Sequence, residues 1–302
     1  MRGIVEFSNH CRQNCLYCGL RRDNAKLTRY RMSPEAVFDC ASEVKRLGFG
    51  TVVLQAGEDP GFPPEQVASL VEKIKAELGL AVTLSLGEWE KSTYTLWREA
   101  GADRYLIKLE TADETNYSRL RPGKTRQARL DAIAALMDLG YETGSGLITG
   151  LPGQGEEQVL RGLELLAELK PDMASMGPFL PHPDTPLKNE QPGSIEDNLT
   201  AMAQARILMP KTHIPVTSAL GLYGNEIRLA ALEVGNVLMP SLTPRQVREN
   251  YAIYPGKNAG EQEPEERAEN FIELLIRAGF SIPNGPGAAW RFEQNREPSK
   301  NG

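Results

Sequence analysis

Thr51-Val52-Val53-Leu54-Gln55, then a helical stretch from about Pro64 to Leu78 stopped by Gly79, then Ala81-Val82-Thr83-Leu84-Ser85-Leu86: this part of the sequence decides the fold. Both flanking runs are short, apolar and rich in β-branched residues, the pattern of strands buried on two faces. The segment between them opens on Pro and ends at Gly, as helices do. Strand, helix and strand at this spacing make a β-α-β unit, and such units build parallel sheets.

The same alternation continues in both directions. Upstream lie a strand, Gly3 to Ser8, and a helix, Pro34 to Leu47, with Ser33 as N-cap and Gly48 at its end. Downstream come a short helix around Thr93 to Ala100 and a strand from Arg104 to Glu110. A helix from Gln127 to Leu139 and a strand from Glu142 to Thr149 follow. Next are a helix from Glu156 to Leu169, a strand from Asp172 to Phe179 and a Pro-rich loop, Pro181 to Leu187. The last units are a helix Ile195 to Leu208, a strand Ile214 to Leu220, a helix Glu226 to Val234 and a strand Asn236 to Met239. Eight such units predict an α/β fold, a parallel (β/α)8 TIM barrel over residues 1–255. Residues 256–302 are polar and rich in Gly and Pro, with one helix expected from Pro264 to Ala278. They read as a C-terminal extension packing on the barrel.

Composition excludes several classes. The 302 residues are 40% hydrophobic and 25% charged, ordinary for a globular chain. Forty acids against 34 Lys and Arg give a net charge of -6, without the basic run that nucleic acid requires. No stretch approaches the ~18 apolar residues of a membrane span. The opening residues lack a charged and then apolar leader, so the expected setting is cytoplasmic, where structural disulfides are rare.

In a (β/α)8 barrel, chemistry belongs at the C-terminal ends of the strands. Directly after the first strand stands Cys11-Arg12-Gln13-Asn14-Cys15-Leu16-Tyr17-Cys18, a CxxxCxxC array. Three thiolates on one short loop can converge on a soft metal centre. Structural zinc takes four ligands, and a [4Fe-4S] cluster normally takes four thiolates. Three leave one iron open to a small chelating molecule. The fourth cysteine, Cys40, falls on the first helix and reads as a small buried hydrophobe. Gly144-Ser145-Gly146-Leu147-Ile148-Thr149-Gly150 has the spacing GxGxxxG within a strand, so it is not a dinucleotide fingerprint. Its small residues would let a planar group pack on the strand, with Ile148 as apolar cover.

The array, with an aromatic residue before its third Cys, resembles the motif of the radical S-adenosylmethionine superfamily. Within it the chain is similar to the HydE type, the radical enzyme of [FeFe]-hydrogenase maturation. The carriers are Val5-Glu6-Phe7-Ser8-Asn9, Leu54-Gln55-Ala56-Gly57-Glu58-Asp59-Pro60, Leu84-Ser85-Leu86-Gly87-Glu88-Trp89, Glu110-Thr111-Ala112, Leu151-Pro152-Gly153-Gln154, the loop Gly177 to Leu187, and Tyr254-Pro255-Gly256.

The resemblance implies one [4Fe-4S] cluster on Cys11, Cys15 and Cys18, whose open iron binds the amino and carboxylate groups of S-adenosylmethionine. Reductive cleavage of the sulfonium then gives methionine and a 5′-deoxyadenosyl radical. It implies Tyr17 near adenine, Gly57, Glu58 and Asp59 at the methionine amino group, Glu110 at the ribose, Arg129 at the methionine carboxylate and Ile148 against the adenosine. Lys108, His182, Thr217 and Ser218 are the residues expected at the substrate, His182 with the alternative of holding its Pro-rich loop by a backbone hydrogen bond. Lys108-Leu109 stand where the HydE pattern has Arg-His. Asn258-Ala259-Gly260 stand where some members carry cysteines for a second cluster. The implied partners are an organometallic iron or other small-molecule substrate, a reductant such as ferredoxin or flavodoxin, and other hydrogenase maturases. Two alternatives remain open: a sibling enzyme of the methylornithine synthase or biotin synthase type, and a non-catalytic iron–sulfur carrier.

Overall fold

The computed structural model describes residues 1–283 and 285–293. Six strands form one sheet in sequence order, every neighbour parallel: β1 (Gly3–Ser8), β2 (Thr51–Ala56), β3 (Ala81–Ser85), β4 (Arg104–Leu106), β5 (Glu142–Thr149) and β6 (Met173–Pro178). Val5, Val52, Val53, Leu54, Val82, Leu84, Tyr105 and Met176 are fully or almost fully buried, as expected where helices cover one face and the interior fills the other. The helices follow the expected caps. In α1 (Pro34–Arg46) the Ser33 side chain accepts from Ala36 N. The helix α2 (Pro64–Lys73) runs on into a π-turn, Ile74–Leu78, which Gly79 closes at φ 64°. Then come α3 (Lys91–Glu99), α4 (Glu114–Leu120), α5 (Arg126–Asp138), α6 (Glu156–Leu169), α7 (Ile195–Leu208) and α8 (Asn225–Leu232).

The expected strands seven and eight are corrected by the structure. Between β6 and β1 there are isolated parallel pairs, Met173 with His213, Pro215 with Val237 and Ile4 with Ser241. Backbone bonds from Ala174 N to His213 O (2.8 Å), Val216 N to Val237 O (2.9 Å) and Ile4 N to Pro240 O (2.9 Å) carry this return. Pro215 and Pro240 lack an N–H, which removes a ladder bond in or beside each segment. Leu220–Tyr223 is a 3-10 turn and not the end of a strand. The expected fourth strand also shortens to Arg104–Leu106.

Trp97 of α3 anchors the β3–β5 side. It stacks on Tyr105 at 6.1 Å between ring centroids, and Tyr105 meets Tyr94 and Tyr141 edge-on at 5.1 and 5.9 Å. Such pairs contribute about 0.5–1.5 kcal/mol each beyond area burial. At the N-terminal end of the strands, consecutive backbone groups of residues 286–289 are held by side chains from four segments. Thr51 Oγ1 donates to Pro286 O (2.8 Å) and Arg2 Nη2 to Gly287 O (3.0 Å). His213 Nε2 lies 3.1 Å from Ala288 O, and Ala289 N donates to Glu142 Oε2 (2.9 Å). A helix α9 (Arg245–Arg248) and α10 (Pro264–Arg277) precede this stretch. Part of the expected extension, residues 284 and 294–302, lies outside the described residues. No helix among the described residues is long and apolar enough to cross a membrane.

Candidate active site

The loop after β1 is pinned on several sides. Arg12 N donates to Glu58 O (2.9 Å), Leu16 N to Leu120 O (2.9 Å), Gly19 N to Ile253 O (3.1 Å) and Arg22 N to Gln13 O (2.7 Å). Two close approaches require glycine. A Cβ on Gly57 would lie 2.2 Å from His10 O and 2.8 Å from Cys11 Cβ, and one on Gly19 would lie 2.0 Å from Ala252 O. The loop is thereby pressed against the C-terminal end of β2.

Cys11, Cys15 and Cys18 are free thiols, partly exposed, on the wall of one cavity of about 340 Å³. Burial pushes the Cys11 thiol up to about 11. Burial, then the neighbouring Cys15 and Cys11, pushes Cys18 further still. Bare thiolates are therefore disfavoured here; iron would supply the missing positive charge. Among the described residues no three His, Cys, Asp or Glu side chains are gathered as a single-ion site. Cys40 is buried in the core with Val37 and Val44, as the sequence implies.

The carboxylates divide into distinct jobs. Glu58 lines the cavity; its Oε1 accepts from Glu88 N (3.0 Å), and its Oε2 from Arg12 Nε (3.2 Å) and Gln13 Nε2. Asp59, expected at the cofactor, is corrected. It does not line the cavity, and its oxygens take Arg31 Nε and Nη2 (both 2.7 Å), Ser8 Oγ (2.6 Å) and Gly61 N (2.9 Å). Just past the end of β2 the two neighbouring acids thus part: Glu58 faces the cavity and Asp59 braces the loop.

Glu110 is on the cavity wall with φ 71°, a left-handed conformation costly for a residue with a side chain. Its backbone is locked by Glu110 N to Gly146 O and Ile148 N to Glu110 O, both 2.9 Å. Its Oε2 is buried without a hydrogen-bond partner, and Lys108 Nζ stands off at 3.7 Å. Thr217 Oγ1, also on the cavity wall, is buried and unpartnered as well. Orphaned buried polar atoms are rare in folded proteins. Two that border one cavity fit a polar ligand carrying both donors and acceptors, as S-adenosylmethionine and a small polar substrate do.

Arg129 is buried on the cavity wall. Its Nε donates to Glu88 Oε1 and its Nη1 to Lys108 O, each 2.6 Å. Sequence reasoning missed Arg121, which follows the unexpected helix α4, lines the same cavity and reaches Glu88 Oε1 at 3.2 Å. Lys124 completes the group, 2.9 Å from Glu88 Oε2. Burial alone would raise the Glu88 carboxyl, but Arg129, Arg121 and Lys124 outweigh it and hold the group down at about 2. Glu88 therefore fixes two buried guanidiniums at the cavity edge, where a carboxylate could be gripped.

Tyr17 and Ile148 line the cavity and pack against Leu120, Leu151, Phe179 and Leu187, an apolar wall suited to a planar base. Lys108, Thr217 and Ser218 line it too, with Ser218 Oγ bonded to Tyr254 OH. His182 does not line the cavity and takes the loop-holding place that was its alternative. Its Nδ1 accepts from Asp184 N (3.1 Å), and its carbonyl takes Thr185 Oγ1 (2.9 Å), so it shapes the Pro-rich loop. The sequence also gave no signal for Lys257, which reaches this cavity from beyond Tyr254 and pairs with buried Glu6 at 2.8 Å.

The geometry agrees with the comparisons. Residues 5–166 match the family described as the Radical SAM superfamily. The chain is 48% identical to the [FeFe] hydrogenase maturase subunit HydE of Thermotoga maritima, over 85% of this chain and 74% of that one. It is 31% identical to a 3-methylornithine synthase of Methanosarcina acetivorans, over 94% and 80% of the two chains. The crystal structure of methylornithine synthase (PylB) superposes with a TM-score of 0.81 at 26% identity, covering 97% of this chain and 85% of that one. The family match spans more than half of the chain and the maturase match most of it; the chain belongs to the radical SAM superfamily.

Proposed function

We propose that this chain is a HydE-type radical S-adenosylmethionine enzyme, acting on a small organometallic iron species during assembly of the [FeFe]-hydrogenase active site. The observation that carries the reading is the 48% identity to the maturase over 85% of the chain. The three thiols on one cavity supply its chemistry. When bound, a reduced [4Fe-4S] cluster supplies one electron that breaks a sulfonium C–S bond, leaving methionine and a 5′-deoxyadenosyl radical.

The chain's own residues do the rest. Cys11, Cys15 and Cys18 would hold three of the irons of that cluster. Glu58 and the backbone at Gly57 accept from the methionine ammonium. Arg129, together with Arg121, grips the methionine carboxylate while Glu88 keeps both in place. Glu110, preset by its strained backbone, accepts from the ribose hydroxyls. Tyr17 and Ile148 cover the adenosine and exclude water from it. Lys108, Thr217 and Ser218 bind the substrate beyond. The setting is cytoplasmic, the partners being a ferredoxin or flavodoxin and the other maturases.

A second reading, an organic substrate as for methylornithine synthase, is favoured by the TM-score of 0.81 over nearly the whole chain. One experiment separates them. The protein is co-expressed with an [FeFe]-hydrogenase and its other maturases in a host lacking HydE. Restored hydrogen evolution supports the lead reading; its absence, together with 3-methylornithine formed by the purified enzyme, supports the second.

A further inference from the structure

The acids on the cavity wall, Glu58 and Glu110, follow β2 and β4. A second part of the wall comes from β6, from the return between β6 and β1, and from the segment around Tyr254. Among the described lining residues from Ser175 onward there is no Asp or Glu, and the charged one is Lys257. Its side chain is 4% exposed, and its Nζ donates to Glu6 Oε1 at 2.8 Å.

Glu6 is fully buried and already has its full set of donors. Its Oε1 also takes Asn258 Nδ2 (3.2 Å), and its Oε2 takes Ser241 Oγ (2.6 Å) and Thr243 Oγ1. An ionised carboxylate accepts at about four positions, and four donors fill them. An ammonium carries three protons, and Lys257 gives one to Glu6. Its other two N–H groups have no partner among the described residues. A buried charge with bonds left unmade is costly.

The surrounding charge has the same sign. Arg248 is fully buried; its Nη2 donates to Gly260 O and Gln262 O, while its Nε and Nη1 have no partner. Arg267 Nη1 donates to Asn258 O at 3.3 Å. Neither arginine enters an ion pair among the described residues. The carboxylate of Glu6 therefore faces an excess of cations. Donors also crowd this wall of the cavity: Thr217 Oγ1 is buried without a partner, and the bond between Ser218 and Tyr254 uses one of their two hydroxyl protons.

We propose that Lys257, positioned by Glu6, grips a carboxylate of the substrate and so decides which small molecules the cavity accepts. The inference deepens the proposed function and rests on it, since the carboxylate belongs to the molecule bound beside S-adenosylmethionine. Lys257 gives its two remaining protons to the carboxylate oxygens, and Thr217 and Ser218 supply further donors. A charge-assisted hydrogen bond is about twice as strong as a neutral one, so an amide of the same shape binds less well.

The test uses the reconstituted protein, oxidised and saturated with S-adenosylmethionine, so that Arg121 and Arg129 are occupied. The probes are propionate and propionamide, which match in size and differ in charge. Their binding is titrated by saturation-transfer nuclear magnetic resonance. Wild type is expected to bind propionate at least about tenfold more tightly than propionamide. The double variant Glu6→Gln with Lys257→Met removes both charges of the pair, so no buried charge is left unpaired. It is expected to bind the two probes alike and to keep its affinity for S-adenosylmethionine. Lys108→Met removes the other lysine of the wall and is expected to keep the preference. Equal binding of the probes to wild type, a preference that survives in the double variant, or one lost in Lys108→Met would overturn the assignment. Wild-type protein that forms no deoxyadenosine on reduction would instead overturn the proposed function.

Discussion

Glu88→Gln is the substitution whose cost the structure fixes best. It keeps the side-chain volume and removes only the charge, so no cavity confuses the result. Glu88 faces Arg129 Nε at 2.6 Å, Lys124 Nζ at 2.9 Å and Arg121 Nη1 at 3.2 Å, with its side chain 11% exposed. Those cations hold its carboxyl at about 2 against an ordinary 4.5, despite burial that pushes the other way. That depression corresponds to about 3 kcal/mol of folding stability at neutral pH. Breaking a buried pair by removing one partner costs about 3–5 kcal/mol, an independent estimate that overlaps it. The pH dependence has a definite direction. A depressed carboxyl contributes fully above its unfolded value of 4.5, and the contribution is lost as pH falls to about 2. Urea unfolding of the metal-free protein and of Glu88→Gln, repeated from neutral pH downward, reads this directly. The variant is expected to be about 3 kcal/mol less stable at neutral pH, with the gap closing through the acid range. A gap under about 1 kcal/mol, or one unchanged down to pH 2, would show that Glu88 does not hold the two guanidiniums.

Other substitutions separate the roles. Cys11→Ala, Cys15→Ala and Cys18→Ala are each expected to abolish the visible iron–sulfur absorbance and all deoxyadenosine formation. Glu110→Gln is expected to raise the KM for S-adenosylmethionine about tenfold or more, by replacing a charged acceptor with a neutral one; an unchanged KM would remove Glu110 from the ribose. Asp59→Asn is expected to lower the melting temperature by disrupting the Arg31 fork while leaving that KM unchanged, because Asp59 faces away from the cavity. Thr217→Val is expected to leave urea stability within about 0.5 kcal/mol, since Oγ1 has no partner to lose, and to weaken substrate binding as read by calorimetry.

The cysteine array was legible because its residues are local: spacing along one loop is spacing in space. Glu110 was read as the end of a strand; the structure puts it four residues past β4 on the cavity wall, with a positive φ that no sequence pattern announces. Asp59 misled because adjacency in sequence is not adjacency in a cavity. Arg121 was lost with α4, a short helix between β4 and α5. Asp113 as its N-cap and Tyr117 with Leu120 on one face were the available signals. The apolar runs at 214–220 and 236–239 read as strands by composition, and Pro215 and Pro240 should have weighed against ladders there. The Glu6–Lys257 pair joins residues 251 apart, beyond any periodicity argument.

A radical enzyme of this kind needs a polypeptide that supplies three thiolates to four irons. Electron paramagnetic resonance of the reduced, reconstituted protein, recorded with and without S-adenosylmethionine labelled with 15N at its amino group and 17O in its carboxylate, tests this most directly. The predicted result is a spectrum that shifts on addition and shows hyperfine coupling to both labels, with chemical iron analysis giving about four irons per chain. A spectrum indifferent to S-adenosylmethionine, or a fourth protein ligand on the cluster, would contradict it.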